Sequence, residues 1–295
     1  MKIIHSFWSR PAFENKPTSL DDRQVGGWRE KKYHYMSWAL SSLLFKKHYG
    51  YIELITDTPG KHLLIDQLQL PYDNVIVKLD ELNGYHSNLW AISKLYSYLM
   101  QDEPFLHVDS DVYIWKKFSI ADDVPLVAQS EDIGFDYYEK TWKKVREAFD
   151  YIPEYMTDDY KTSPQMSACN AGVFGGSDVA FIREFASEAL DFLNKNSSSM
   201  DKLDLGPTVL IYEQYLCSCL ARTKKKKFKY LFPPLSKTYY EIADFSNIPK
   251  RTTYVHAVGS NKRAIPFCIS LEERLLYEYP DQYYLIKDLV SRNII

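Results

Sequence analysis

Residues 104–114 read Pro104-Phe105-Leu106-His107-Val108-Asp109-Ser110-Asp111-Val112-Tyr113-Ile114. A mainly apolar run leads into two carboxylates spaced one residue apart, and a second apolar run follows. The first run predicts a short buried strand over 104–108, which puts Asp109-Ser110-Asp111 at its carboxyl end. In open α/β sheets, ligands gather outside the carboxyl ends of the strands. Two carboxylates there can converge on one hard cation. Mg²⁺ and Mn²⁺ prefer oxygen ligands and share their shell with substrate phosphates. A lone D-x-D is also a common strand-end turn, since Asp is a frequent turn residue. The apolar runs on both sides favour the metal reading.

Outward from this segment, strand and helix signals alternate. Toward the N-terminus, strands are predicted over 2–8, 51–57 and 74–77, and helices over 30–48, 61–69 and 88–101. Thr58-Pro59-Gly60 is a turn signal. Toward the C-terminus, helices are predicted over 177–193 and 208–222, with Ser177 or Asp178 as cap for the first. Short strands are expected over 228–232 and 254–256, and the tail from Ser270 reads as helical. Residues 130–165 are charged and aromatic with few clear periods, and are expected to form a lid or a small subdomain. The alternation argues for βαβ units and a mainly parallel sheet.

Composition narrows the function. The 295 residues carry a net charge of -3, so no global basic field is present to hold nucleic acid. Among 24 tyrosines, some could stack on sugars or bases, but a hydroxyl-tipped ring also suits any half-buried surface. The four cysteines include no C-x-x-C pair, and Cys217-x-Cys219 is too tight for an easy disulfide or zinc knuckle. All four are expected to be reduced and mostly buried, in a reducing compartment. The N-terminus lacks the long apolar stretch of a signal peptide, and no window approaches a membrane span. A cytoplasmic protein is expected. Lys224–Lys227 is ordinarily a solvated face, or else a peripheral contact with anionic lipid head groups at the inner face of a membrane.

The segment 105–112 resembles the D-x-D segment of GT-A glycosyltransferases. Three more segments stand in the order seen in family 8 glycosyltransferases and their relatives: Asn170-Ala171-Gly172-Val173, Glu213-Gln214, and His256-Ala257-Val258-Gly259-Ser260-Asn261-Lys262. The resemblance implies a GT-A-type, Rossmann-like fold with a mixed, mostly parallel sheet flanked by helices. It implies one domain over 1–295, with the nucleotide-sugar part in about 1–125 and the acceptor or lid part in about 126–295. Its functional implication is metal-dependent transfer of a sugar from a nucleotide diphosphate donor to a glycan or glycolipid hydroxyl, leaning toward retention. By the same resemblance, Asp109, Asp111 and His256 ligate Mn²⁺ or Mg²⁺, with Ser110 between them beside the donor. Gly259 and Lys262 approach the diphosphate, Gly by backbone and Lys by charge. Asn170 binds sugar hydroxyls, Gln214 lies near the anomeric carbon, and Lys94 contacts the donor.

Each of these residues also has a plainer reading. His256 can be a satisfied strand-end histidine, Asn170 a turn residue, Glu213 and Gln214 solvated helix positions, and Lys94 a surface lysine. The N-terminal region departs from family 8. Those enzymes carry an acidic and an amide residue after the first strand, where this chain has Ser6-Phe7-Trp8-Ser9-Arg10-Pro11. Trp8 is then the candidate for stacking on the base, Arg10 for a phosphate and Asp57 for the ribose. An inverting reaction would need a general base, with Glu213 and the Asp158-Asp159 pair as candidates. Two rivals remain. A nucleotidyltransferase would show a Gly-rich phosphate loop, which residues 1–30 lack. A decayed nucleotide-sugar or carbohydrate binder would not be expected to keep Asp109, Asp111, His256 and Lys262 together.

Overall fold

A computed structural model describes residues 1–13, 24–236 and 238–295. The fold is α/β, with a mostly parallel central sheet flanked by helices, as expected. The strands in the first part of the chain are β1 (Lys2–Phe7), β2 (Ile52–Thr56), β3 (Asn74–Val77), β4 (Phe105–Val108) and β5 (Val112–Ile114). They continue with β6 (Val127–Ala128), β7 (Glu131–Ile133), β8 (Ser167–Cys169) and β9 (Val173–Gly176). The last are β10 (Lys229–Tyr230), β11 (Leu235–Ser236) and β12 (Tyr254–His256). The chain divides into two compact units, each assembled from separate segments. One comprises Lys2–Ser87, Val108–Phe118 and Tyr239–Ile295; the other comprises Met1, Asn88–His107 and Ser119–Thr238.

In the unit that begins at Lys2, β1, β2 and β3 pair in parallel, with Ile3 opposite Ile52 and Leu54 opposite Val75. β2 is buried along its whole length, and the one charge within it, Glu53, is paired with Lys2 (3.3 Å). Helix Lys31–Tyr49 packs on these strands. It ends at Gly50, whose left-handed backbone (φ 78°) lets its N–H bond the Lys46 carbonyl. The carboxyl ends of β1 and β2 are tied together, because Thr56 Oγ1 donates to the Phe7 carbonyl (2.7 Å). The tail is helical from Ile265, five residues before the expected start, and Pro280 splits it into Ile265–Glu278 and Pro280–Ser291. A proline suits the first turn of a helix and breaks the one before it.

In the other unit, the strand order is β10-β6-β9-β4. Gly175 and Gly176 in β9 allow very close packing: a Cβ on either would stand 2.1 Å from the carbonyl oxygen of Phe105 or Pro125. A smaller sheet has the order β11-β7-β8. Residues 130–165 prove to be largely helical, as Asp136–Ala148 and Glu154–Thr162. Tyr138, Thr141, Trp142 and Val145 are the buried positions of the first helix, spaced i, i+3, i+4, i+7. Helix Val179–Lys195 is capped by Asp178, which accepts from the Phe181 N–H (3.2 Å). The expected helix over 208–222 runs from Leu205 to Thr223, but its middle, Leu210–Tyr215, is wound as a π turn. Within the basic run, Lys224 pairs with Glu184 (2.7 Å) and Lys226 with Asp178 (2.6 Å), as on a solvated face.

Candidate metal centre and buried polar cluster

The Asp109–Asp111 turn is built by its neighbours. The Val112 N–H closes it on the Asp109 carbonyl (3.0 Å). Ser37 Oγ, from helix Lys31–Tyr49, donates to the Ser110 carbonyl (2.8 Å) and lies 2.7 Å from the Tyr113 hydroxyl. β5 then pairs antiparallel with β12, which sets His256 opposite Val112, and the Ala257 N–H bonds the Asp111 carbonyl (3.0 Å). A histidine 145 positions further along the chain is thereby brought beside the turn. Asp109, Asp111 and His256 can each present one ligand atom, all within 4.8 Å of one another. Two carboxylates and an imidazole suit a borderline-to-hard divalent cation. The residues therefore fit Mn²⁺ or Mg²⁺.

The charges around Asp111 are paired. Its Oδ2 lies 2.6 Å from Lys262 Nζ and its Oδ1 lies 3.4 Å from His256 Nε2. Burial pushes the Asp111 carboxyl up, but Lys262 and His256 outweigh burial and hold it well below the usual carboxylate range. Lys262 Nζ also donates to the Gly26 carbonyl (3.2 Å) and lies 5.9 Å from the Trp28 ring. The Lys262 carbonyl accepts from the Arg29 N–H (3.1 Å). The segment 26–29 thus wraps Lys262. Sequence reasoning passed over it, because a Gly-Gly-Trp run carries no signal of its partner 236 residues away. Gly259 opens the Gly259–Arg263 turn with φ 57°, a left-handed conformation that favours glycine.

The second unit of the site residues is equally buried. Lys94, whose default reading was a surface lysine, is 4% exposed, and its Nζ lies 2.8 Å from Glu213 Oε1. Glu213, read as a possible solvated helix position, is 1% exposed. The same Nζ reaches the Ala171 carbonyl (3.5 Å). Asn170 Nδ2 donates to Asp132 Oδ2 (3.1 Å), and Asn170 Oδ1 accepts from the Gly172 N–H (3.1 Å). Ser130 Oγ donates to Asp132 Oδ1 (3.2 Å). Gln214 Oε1 accepts from the Tyr138 hydroxyl. Asp132 and Tyr138 were missed from sequence. No motif surrounds either, and only the pairing of β7 with β8 brings Asp132 to Asn170.

Two of the three N-terminal candidates, Asp57 and Arg10, hold structural partners, and the third, Trp8, is buried. Asp57 accepts from Ser9 N (2.9 Å) and Ser9 Oγ (2.6 Å) on one oxygen, and from the Gly60 N–H (2.9 Å) on the other, capping the helix at Thr58. Burial raises its carboxyl, and the hydrogen bonds from Ser9 and Gly60 partly counter that. Arg10 Nη1 donates to the carbonyls of Asn83 (2.5 Å) and Tyr85 (3.1 Å). Trp8 is 3% exposed. Ser9, Arg10, Asp57, Pro59, Asp80 and Asn83 line a cavity of about 300 Å³. All four cysteines are buried and unbridged. Among the described residues, no helix is long and apolar enough to cross a membrane.

The chain belongs to DUF6734, a family of unknown function, whose model matches residues 1–289. No curated protein matches it in sequence. Among solved structures it is similar to the glycosyltransferase GlyE of Streptococcus pneumoniae TIGR4, at 12% identity and a TM-score of 0.46. That match covers 99% of this chain, which spans only 64% of the GlyE chain. The galactosyltransferase LgtC, solved with donor and acceptor sugar analogs, is 10% identical with a TM-score of 0.46, covering 98% of this chain and 96% of LgtC. Mouse xyloside xylosyltransferase 1, in its apo form, is 12% identical with a TM-score of 0.42, covering 88% of this chain and 98% of the mouse chain.

Proposed function

We propose that this protein is a metal-dependent glycosyltransferase of GT-A type that moves a sugar from a nucleotide diphosphate to an acceptor hydroxyl. The observation that carries the reading is the convergence of Asp109, Asp111 and His256 within 4.8 Å at a strand end. Held there, Mn²⁺ or Mg²⁺ would supply neutralising charge for the departing diphosphate. Lys262, beside Asp111, adds a second positive group for the same phosphates, and the open space at Gly259, which has no side chain, suits a close approach by them. Asn170, Gln214 and Asp132 offer the mix of donors and acceptors that sugar hydroxyls require. Trp8, Asp57 and Ser110 shape the nucleotide side, and Lys94 keeps Glu213 in place.

Two of the three carboxylates considered as an inverting base, Glu213 and Asp159, are already engaged. Glu213 is paired with Lys94 at 2.8 Å. Asp159 accepts a two-pronged contact from Arg222 at 2.6 and 2.8 Å, and a third bond from Tyr215 (3.2 Å). A carboxylate bonded to a cation is a poor proton acceptor. That favours retention, with the acceptor proton passing to the leaving phosphate.

The test is release of nucleoside diphosphate from a panel of nucleotide sugars, with Mn²⁺ and with EDTA. One donor should be hydrolysed in Mn²⁺ alone, and Asp111→Asn should lose at least about a hundredfold in rate. Release that persists in EDTA, or in Asp111→Asn, rules the reading out.

A further inference from the structure

A second cavity, of about 210 Å³, lies wholly within the unit that carries Asn170 and Gln214. It is lined by Glu139, Tyr160, Ser163, Gln165, Met166 and Tyr215, with Pro164 at its edge. Its lining is continuous along the chain with the buried cluster. Glu139 follows Tyr138, and Tyr215 follows Gln214, and those two neighbours are hydrogen-bonded to each other. Met166 leads directly into β8 and Asn170. Two of the lining residues are therefore chain neighbours of residues in the cluster. One of them, Tyr215, sits at the end of a π turn, a distortion found frequently at functional sites.

The chemistry of the lining selects the ligand. No lysine or arginine lines it, so an anion has no partner there. Glu139 and Gln165 can accept hydrogen bonds from hydroxyl groups, and Ser163 can both donate and accept. Tyr160 offers an aromatic face to an apolar C–H surface. Its ring is already oriented: the hydroxyl donates to Glu139 Oε2 (3.2 Å), Trp142 packs on it at 5.9 Å between centroids, and the Arg146 guanidinium lies 5.5 Å from the ring. A preformed ring beside a carboxylate and an amide costs little ordering on binding. The cavity is smaller than those that hold drug-sized ligands, about 300–1,000 Å³, and suits a single neutral pyranose ring.

We propose that this cavity is a carbohydrate subsite that holds a neutral sugar of the acceptor. Its role as an acceptor site rests on the transferase reading above, whereas its affinity for a neutral sugar does not. The test is therefore direct binding, without donor or metal. Methyl glycosides of glucose, galactose and N-acetylglucosamine are presented at millimolar concentration, and saturation transfer from protein to sugar is recorded by NMR. At least one glycoside should bind. Tyr160→Ala and the exposed-site variant Gln165→Ala should each weaken it about tenfold, with thermal unfolding showing both variants to be folded. No saturation transfer to any glycoside, or undiminished binding in both variants, overturns the proposal. So does binding of tetramethylammonium in place of the sugars, since tyrosine rings beside a carboxylate also suit a cation. Failure of donor hydrolysis would sink the transferase and leave the subsite standing. Donor hydrolysis without glycoside binding would do the reverse.

Discussion

At the scale of single residues, the most consequential contact away from the Asp109–Asp111–His256 cluster is the Lys94–Glu213 pair. Both partners are nearly closed to solvent, at 4% and 1% exposed, so each depends on the other for charge compensation. Removing one partner of a buried pair typically costs about 3–5 kcal/mol, because a lone charge is left desolvated, while replacing both by apolar groups is far cheaper. Lys94→Met should lower the urea midpoint by that measure, and Lys94→Met with Glu213→Leu should recover most of it. A double variant no more stable than the single would show that the pair does not act as a unit. The sequence offered both residues as candidates by resemblance, but it offered no hint that they meet. Nothing in a linear chain marks a lysine at position 94 as the partner of a glutamate at 213. The same holds for Asp132, which gained its place only when β7 paired with β8. Asp109, Asp111 and His256 were legible because the apolar strands that carry them bracket them in sequence.

At the scale of elements, periodicity served where a helix or strand has one clean face and failed where charge obscures it. Asn74–Val77 and Tyr254–His256 were placed to the residue, and Lys31–Tyr49 to within one. The helix Asp136–Ala148 went unread although its buried positions, Tyr138, Thr141, Trp142 and Val145, repeat at i, i+3, i+4, i+7. Its lysines and glutamates dominate by number and hide a narrow stripe. The two-residue strand β6 had no period to find, being defined by pairing alone, whereas β10 falls inside the strand expected over 228–232. Caps were easier, because one side chain does the work. Asp178 caps Val179–Lys195 and also holds Lys226, an exposed pair that adds little. Asp178→Ala should cost about 1 kcal/mol, read from the denaturant midpoint at constant slope, and Asp178→Asn should cost much less. Equal losses in the two variants would assign the stability to the ion pair and not to the cap.

At the scale of the whole molecule, pH acts through buried histidines. His5 lies in β1 among Trp38, Phe45 and Tyr72, with Tyr72 Oη 3.0 Å from Nδ1 and Ser41 Oγ 3.4 Å from Nε2. Burial lowers its pKa from 6.5 to about 3. The unfolded chain therefore binds a proton that the folded chain refuses, between those two values. Stability from this group is complete above pH 6.5 and declines as pH falls toward 3. Between pH 7.5 and 5.5 the loss is about 1.4 kcal/mol. His5→Asn, which keeps a nitrogen near Tyr72, should flatten that part of the curve, measured as the unfolding midpoint against pH. An unchanged slope would place the titration elsewhere. Each unit is also stitched from non-adjacent segments, so no single cut in the chain releases either one whole.

The π turn Leu210–Tyr215 has a further consequence. A π turn is, by count, an α-helix with one residue added. An added residue would ordinarily rotate everything beyond it by about 100° and turn the buried face outward. Here the excess is absorbed within six residues, and Leu205, Val209, Leu216 and Leu220 on the flanks all remain buried. The helix that carries Glu213 and Gln214 thus has the arithmetic of a scaffold extended by a single codon. Losing that codon would give back an ordinary helix with Glu213 and Gln214 out of phase, carrying the carboxylate of Glu213 away from Lys94.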